Sequence, residues 1–206
     1  MVKVAAIDCG SNSTRLLVAD VSSGELVPIF KTHKVTKTSE GLEDLNEISK
    51  DAKNRLIKAL REYQKKINLE NVDQIIITGT AVFRDAQNSD EVIEEIRNKL
   101  DLDIQVISGE EEGLLTSIGV LSSNTIEENF FIVDIGGRST ELIYDSEKRI
   151  NVHSLDIGVV SLTERISNIN PLGASDKEEA DNLINKNTDL EIDTQHTFMI
   201  LSLIHI

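Results

Sequence analysis

The octapeptide Asp134-Ile135-Gly136-Gly137-Arg138-Ser139-Thr140-Glu141 brings two carboxylates, a glycine pair and two hydroxyls to the junction of two apolar runs. Such a loop has two readings. It is the tip of an ordinary β-hairpin, or it is a nest of backbone N–H groups for an anion, with flanking carboxylates placed to hold a metal ion. A second copy decides between them. Asp8-Cys9-Gly10-Ser11-Asn12-Ser13-Thr14-Arg15-Leu16-Leu17-Val18 aligns without a gap onto residues 134–144 at a constant offset of 126 residues, with Asp, Gly, Ser, Thr and Leu coinciding. Two related halves that each contribute a polar loop imply a site built from both.

Two further segments carry chemistry. Ser108-Gly109-Glu110-Glu111-Glu112 puts three carboxylates into the first turn of a helix. Acidic residues are favoured there by the helix dipole, each by about 0.3–1 kcal/mol. Ser108 and Glu111 fit a capping box, which leaves Glu112 without a local task and facing another way. Arg84, in Gly79-Thr80-Ala81-Val82-Phe83-Arg84-Asp85-Ala86-Gln87-Asn88, falls on a loop between a strand and a helix. It is an ordinary surface arginine, or a guanidinium placed to grip a phosphate through two N–H groups.

The elements that must position these residues follow from apolar periodicity. Residues 2–8, 13–20 and 25–31 read as a three-stranded antiparallel opening. Ser49 then caps a helix to about Ile67, with Ala52, Leu56, Leu60, Tyr63 and Ile67 on one stripe. A strand at 74–78, a helix over Ser89–Leu100 with Val92, Ile93, Ile96 and Leu100 inward, and a strand at 103–107 come next. A helix from Ser108 to about Leu121 buries Leu114, Leu115 and Ile118. After a polar link at 122–129 the series restarts, with strands at 130–134, 139–145 and 149–155 and helices near 159–167 and 176–187. This order predicts mixed sheets with both loop motifs at strand ends. The apolar residues 196–206 read either as a final buried strand or, the reading preferred here, as a non-native tail.

Composition narrows the classes. The 206 residues suffice for one large domain or two small ones. The sequence has no continuous apolar run of the roughly 18–20 residues that a membrane span needs. Met1-Val2-Lys3-Val4 enters a strand at once, so no secretory signal is expected. Cys9 is the single cysteine, which excludes an internal disulfide framework, suits the cytoplasm and reads as packing. A net charge of −15 argues against general nucleic-acid binding and requires any anionic ligand to be held by local N–H groups, a few cations or a metal. Lys31, His33, Lys34 and Lys37 form a compact basic run that reads as a solvated edge strand.

Asp8 to Ser13 with Arg15-Leu16-Leu17, Thr80 to Asn88, Ile107 to Glu112, Asp134 to Glu141 and Leu162-Thr163-Glu164-Arg165 resemble, in order, the exopolyphosphatase and guanosine pentaphosphate phosphatase family. That family belongs to the actin, sugar-kinase and heat-shock-chaperone superfamily. The resemblance covers about residues 3–190. It implies an α/β fold of duplicated ribonuclease H-like halves with mixed five-stranded sheets, divided as 1–124, an incomplete second half at 125–193, and a tail at 194–206. It implies that Gly10, Ser11, Asn12 and Ser13, together with Gly136, Gly137, Arg138 and Ser139, bind phosphates, that Arg84 contacts substrate, and that Glu112 is the catalytic base. Asp134, Glu141 and Asp8 then support Mg2+. The expected partner is polyphosphate or guanosine pentaphosphate, without a membrane and compatibly with a homodimer. A phosphotransferase would need an adenosine-binding glycine loop late in the second half, which this sequence lacks.

Two departures from the family pattern bear on the site. A third glycine usually stands where this chain has Arg138; if the position needs positive φ, arginine is strained there, although the aligned Asn12 argues that glycine is not obligatory. Lys37-Thr38-Ser39-Glu40-Gly41-Leu42 matches the family's basic and glycine-rich loop only in part. Family members also continue well past residue 206, so weak or absent activity is expected of the 206-residue chain.

Overall fold

The computed structural model describes residues 2–122, 129–146, 149–166, 173–187 and 196–201. The chain divides into two compact units, Met1–Ile107 and Ser108–Ile206. The first contains β1 (Lys3–Cys9), β2 (Ser13–Asp20), β3 (Val27–Val35), α1 (Leu42–Leu45), α2 (Lys50–Glu70), β4 (Gln74–Gly79), α3 (Ala81–Asp85), α4 (Ser89–Leu100) and β5 (Gln105–Val106). Its sheet has the order β3-β2-β1-β4-β5. The first three strands form an antiparallel meander, and β4 and β5 return parallel through crossover helices. The expected stripe on α2 is buried, as is that on α4, and both pack with Ala5, Ile7, Leu16 and Val18. Ser49 accepts a hydrogen bond from the Ala52 N–H at 3.2 Å, the expected cap.

The second unit contains α5 (Gly109–Ser122), β6 (Phe130–Ile135), β7 (Thr140–Ser146), β8 (Arg149–Leu155), α6 (Val159–Ile166), α7 (Ala174–Asn187) and β9 (His196–Leu201). Its described strands have the order β8-β7-β6-β9, again an antiparallel meander with a parallel strand beside the first. β9 thus stands to β6 as β4 stands to β1. The duplicated α/β plan is present in both units.

The structure differs from the sequence reading in several places. β3 runs to Val35, so it carries Lys31, His33 and Lys34 along the sheet edge, where Lys34 pairs with Glu62 at 2.5 Å. α1 and α3 appear where loops were expected. In α3 the adjacent Ala81, Val82 and Phe83 are all buried, which winds the segment into a short turn of helix against the core. β5 is shorter than expected. The largest correction concerns α5: Leu114, Leu115 and Ile118 are exposed, and Gly113 and Ser117 are buried instead. The helix lies on β7 and β8 so closely that a Cβ at Gly113 would collide with Val152, and only its small-residue face allows that approach. Residues 196–201, read as tail or strand, form β9. The expected link at 123–128 and the tail at 202–206 lie outside the described residues.

Candidate functional site

The two glycine loops repeat one another in backbone detail. Gly10 N–H donates to the Ser13 carbonyl at 3.1 Å, and Gly136 N–H donates to the Ser139 carbonyl at 2.9 Å. A Cβ on Gly10 would lie 2.9 Å from the Ser13 oxygen, and one on Gly136 would lie 3.0 Å from the Ser139 oxygen. Neither glycine has a left-handed φ, so each is required for space. Arg138 is also outside the left-handed region, and the arginine therefore sits in this loop without the strain that a glycine-only position would impose. Its side chain is buried, with 7% exposure.

Each loop is held from one side by the segment that follows the third strand of its own half. Thr36 and Lys37 donate N–H bonds to the Asn12 carbonyl at 3.0 and 2.9 Å, and Ser39 donates to the Ser11 carbonyl at 3.0 Å. In the second half the start of α6 does the same work. Val159 donates to the Gly136 carbonyl at 3.1 Å, and Val160 and Ser161 donate to that of Gly137 at 2.7 and 3.0 Å. A trans peptide carries its C=O and N–H on opposite sides. Pinning the carbonyls of Ser11 and Asn12 therefore turns the Asn12 and Ser13 N–H groups away from the clamp, and pinning those of Gly136 and Gly137 does so for Gly137 and Arg138. Gly158 seals the second clamp: any side chain there would collide with the Gly137 carbonyl and the Arg138 nitrogen. Ser161, fully buried, receives the Gly158 N–H at 3.0 Å and donates within reach of the Arg138 carbonyl at 3.3 Å.

The carboxylates differ between the halves. Asp8 and Arg15 are cross-strand partners and form an ion pair at 3.9 Å. At the equivalent positions Asp134 faces Glu141 across β6 and β7, so the cation is replaced by a second acid. Both are buried, with 8% and 1% exposure. Opposed like charges in a sheet are unfavourable, the more so out of water. Hydroxyls supply part of the compensation: Thr116 donates to Asp134 Oδ2 at 3.0 Å and Ser154 to Glu141 Oε1 at 2.9 Å. An all-oxygen set with two carboxylates fits a small hard cation such as Mg2+, which keeps water and takes phosphate oxygens as its other ligands. Among the described residues no group of three or more acidic, histidine or cysteine side chains is gathered.

Glu112 lies one turn before Thr116 on α5, so the spacing puts it on the face that meets Asp134. It is half-buried, whereas Glu110 and Glu111 are exposed. The capping box forms as expected. Glu111 N–H donates to Ser108 Oγ at 3.1 Å, and the Ser108 N–H donates to Glu111 Oε2 at 2.8 Å. The Ser108 N–H, and after it the Ser108 hydroxyl, hold the Glu111 carboxyl below the ordinary glutamate range. Arg84 is carried by α3 at the end of β4, and its Nη1 donates to the Ile107 carbonyl at 2.8 Å. β4 leaves the sheet at the same edge as β1, since Gly79 pairs with Cys9, and the first loop and Arg84 thus arise side by side in sequence register. Cys9 is fully buried and its thiol is pushed well up by desolvation, in keeping with packing. The sequence reading missed Gly158 and Ser161, for which a glycine directly before a helix was the available signal.

Comparison with known proteins gives a consistent picture. The profile of the Ppx/GppA phosphatase family matches residues 17–197. Exopolyphosphatase 2 of Mycobacterium tuberculosis is 30% identical over 181 residues, which is 83% of this chain and 57% of that protein. The chain thus spans little more than half the length of this curated relative. The crystal structure of the Aquifex aeolicus Ppx/GppA family member superposes with a TM-score of 0.74 at 28% identity, covering 97% of this chain and 65% of that one. An exopolyphosphatase from Cytophaga hutchinsonii gives a TM-score of 0.84 over 90% of this chain and 60% of its own, at 24% identity, a likeness of fold.

Proposed function

The chain belongs to the Ppx/GppA phosphatase family, and we propose that it releases orthophosphate from the ends of inorganic polyphosphate by metal-assisted attack of water. The observation that carries this reading is the buried pair Asp134 and Glu141 beside a glycine loop whose N–H groups are turned outward. Gly136, Gly137, Arg138 and Ser139 receive one phosphate through backbone and hydroxyl donors, and the buried Arg138 side chain adds positive charge to a protein of net charge −15. Gly10, Ser11, Asn12 and Ser13 offer the equivalent donors in the first half, with Arg84 as a guanidinium contact.

Asp134 and Glu141 would hold Mg2+, which would supply neutralisation of charge on the phosphoryl oxygens. Glu112 accepts a proton from the attacking water as its oxygen bonds to the terminal phosphorus. The bond from that phosphorus to the bridging oxygen breaks, and the shortened polyphosphate leaves with the bond's electron pair. Positioning and charge stabilisation account for most of the rate in such a reaction. We place it in the cytoplasm, where a lone reduced cysteine is at home.

Hydrolysis of the 5′-phosphate of guanosine pentaphosphate is the same chemistry on another phosphoanhydride, and the M. tuberculosis relative's name favours polyphosphate. Phosphate release from long-chain polyphosphate and from guanosine pentaphosphate, measured side by side with Mg2+, tests the assignment. Faster release from polyphosphate is expected. Faster release from guanosine pentaphosphate would transfer the assignment to that substrate; the 206-residue chain is expected to be slow, and no release from either substrate by a protein that carries these residues at its relatives' full length would refute the reading.

A further inference from the structure

Arg55 makes no hydrogen bond to the loop residues 10–13, yet the bonds that pin the Ser11 and Asn12 carbonyls come from a segment it holds. Its Nε donates to the Thr36 carbonyl at 2.7 Å, and its Nη2 donates to the Lys37 carbonyl at 3.0 Å and to Glu40 Oε2 at 2.8 Å. One planar fork thus fixes three points of the 36–40 segment, a geometry that a point-like ammonium does not reproduce. That segment needs fixing. Lys37 has φ 45°, a left-handed conformation that costs a non-glycine residue energy, and Gly41 at φ 76° closes the turn. A buried hydroxyl chain, Thr14 to Thr36 at 3.1 Å and Thr36 to Thr38 at 3.0 Å, joins it to β2.

The N–H groups of Thr36, Lys37 and Ser39 then pin the Asn12 and Ser11 carbonyls. The second half pins its loop by another route, seating the start of α6 against it at Gly158. The first clamp is an irregular loop with a strained residue, and α2 lends it rigidity through Arg55, which lies one turn inside that helix.

We propose that Arg55 is a positioning residue that sets the orientation of the first loop's peptide groups by bracing residues 36–40. Its consequence for phosphate affinity rests on the reading given under Proposed function, whereas the bracing itself does not. The test is residue-resolved amide hydrogen exchange on the full chain, in wild type, Arg55→Ala and Arg55→Lys, paired with calorimetric titration of tripolyphosphate. In Arg55→Ala, exchange should quicken about tenfold or more at Thr36, Lys37, Ser39 and Gly10, while Leu60 and Tyr63 in α2 and Ala5 in β1 keep wild-type rates. Arg55→Lys should fall between the two, and it carries the test alone if the alanine variant does not fold. Unchanged exchange at 36–39, loosening that stops short of Gly10, or a uniform rise across α2 and β1 would each overturn the proposal. Wild-type tripolyphosphate affinity in a variant with loosened loops would overturn it too. A wild-type chain that binds no tripolyphosphate would refute the phosphate-site reading instead, and exchange would still decide the bracing.

Discussion

Glu111 and Glu112 are neighbours in sequence, and the helical period gives them different work. Glu111 reaches back to the Ser108 N–H, which lowers its carboxyl below the ordinary range. A lowered folded value means that the capping bond contributes stability above the unfolded glutamate pKa of about 4.3, lost as pH falls through the folded value. The Glu111 carboxyl-carbon shift should accordingly titrate with a midpoint below that of an unfolded peptide; a midpoint at or above it would contradict the cap. Asp134 and Glu141 give a second prediction at this scale. Their opposed, buried carboxylates repel, so Glu141→Gln should raise the melting temperature in chelator-treated buffer and weaken Mg2+ binding, measured by calorimetry. A lower melting temperature with unchanged Mg2+ affinity would show that the pair is not a cation site. The Asp134–Glu141 motif was legible in the sequence because its twin is intact. The ease with which the loop accepts Arg138 was legible only through that twin, where Asn12 stands at the same place, since φ at a loop position is set by neighbouring hydrogen bonds that no local pattern encodes.

At the scale of elements, periodicity located α2 and α4 with their buried stripes and failed on α5. Leu114, Leu115 and Ile118 look like a core face, but the face with Gly113 and Ser117 lets the helix approach β8 far more closely. Hydrophobicity ranks faces by transfer free energy, whereas close packing also rewards fit, and a small-residue face wins where the partner surface is bulky. The start of α6 shows the same effect at Gly158. Gly158→Ala adds a methyl against the backbone of Gly137 and Arg138, which has no rotamer to yield. It should cost about 1–3 kcal/mol in chemical denaturation. Wild-type stability there would mean that α6 stands further from the loop than the hydrogen bonds of Val159, Val160 and Ser161 require.

For the whole molecule, the duplicated plan was the most legible feature, because two gapless motif copies at an offset of 126 residues fix two equivalent strand-loop-strand units. The structure extends that equivalence to β9, which pairs with β6 as β4 does with β1. The sequence did not reveal which segments clamp the loops: residues 36–39 in one half and 158–161 in the other lie well beyond the loops and share only a final serine, Ser39 and Ser161. The most direct measurement of the central claim is phosphate release from long-chain polyphosphate by wild type and Glu112→Gln, with tripolyphosphate binding followed in parallel. Loss of one general base predicts a fall in turnover of about 10²–10⁴-fold, with binding nearly unchanged. Equal turnover in the two proteins would contradict the assignment of Glu112 and the mechanism built on it.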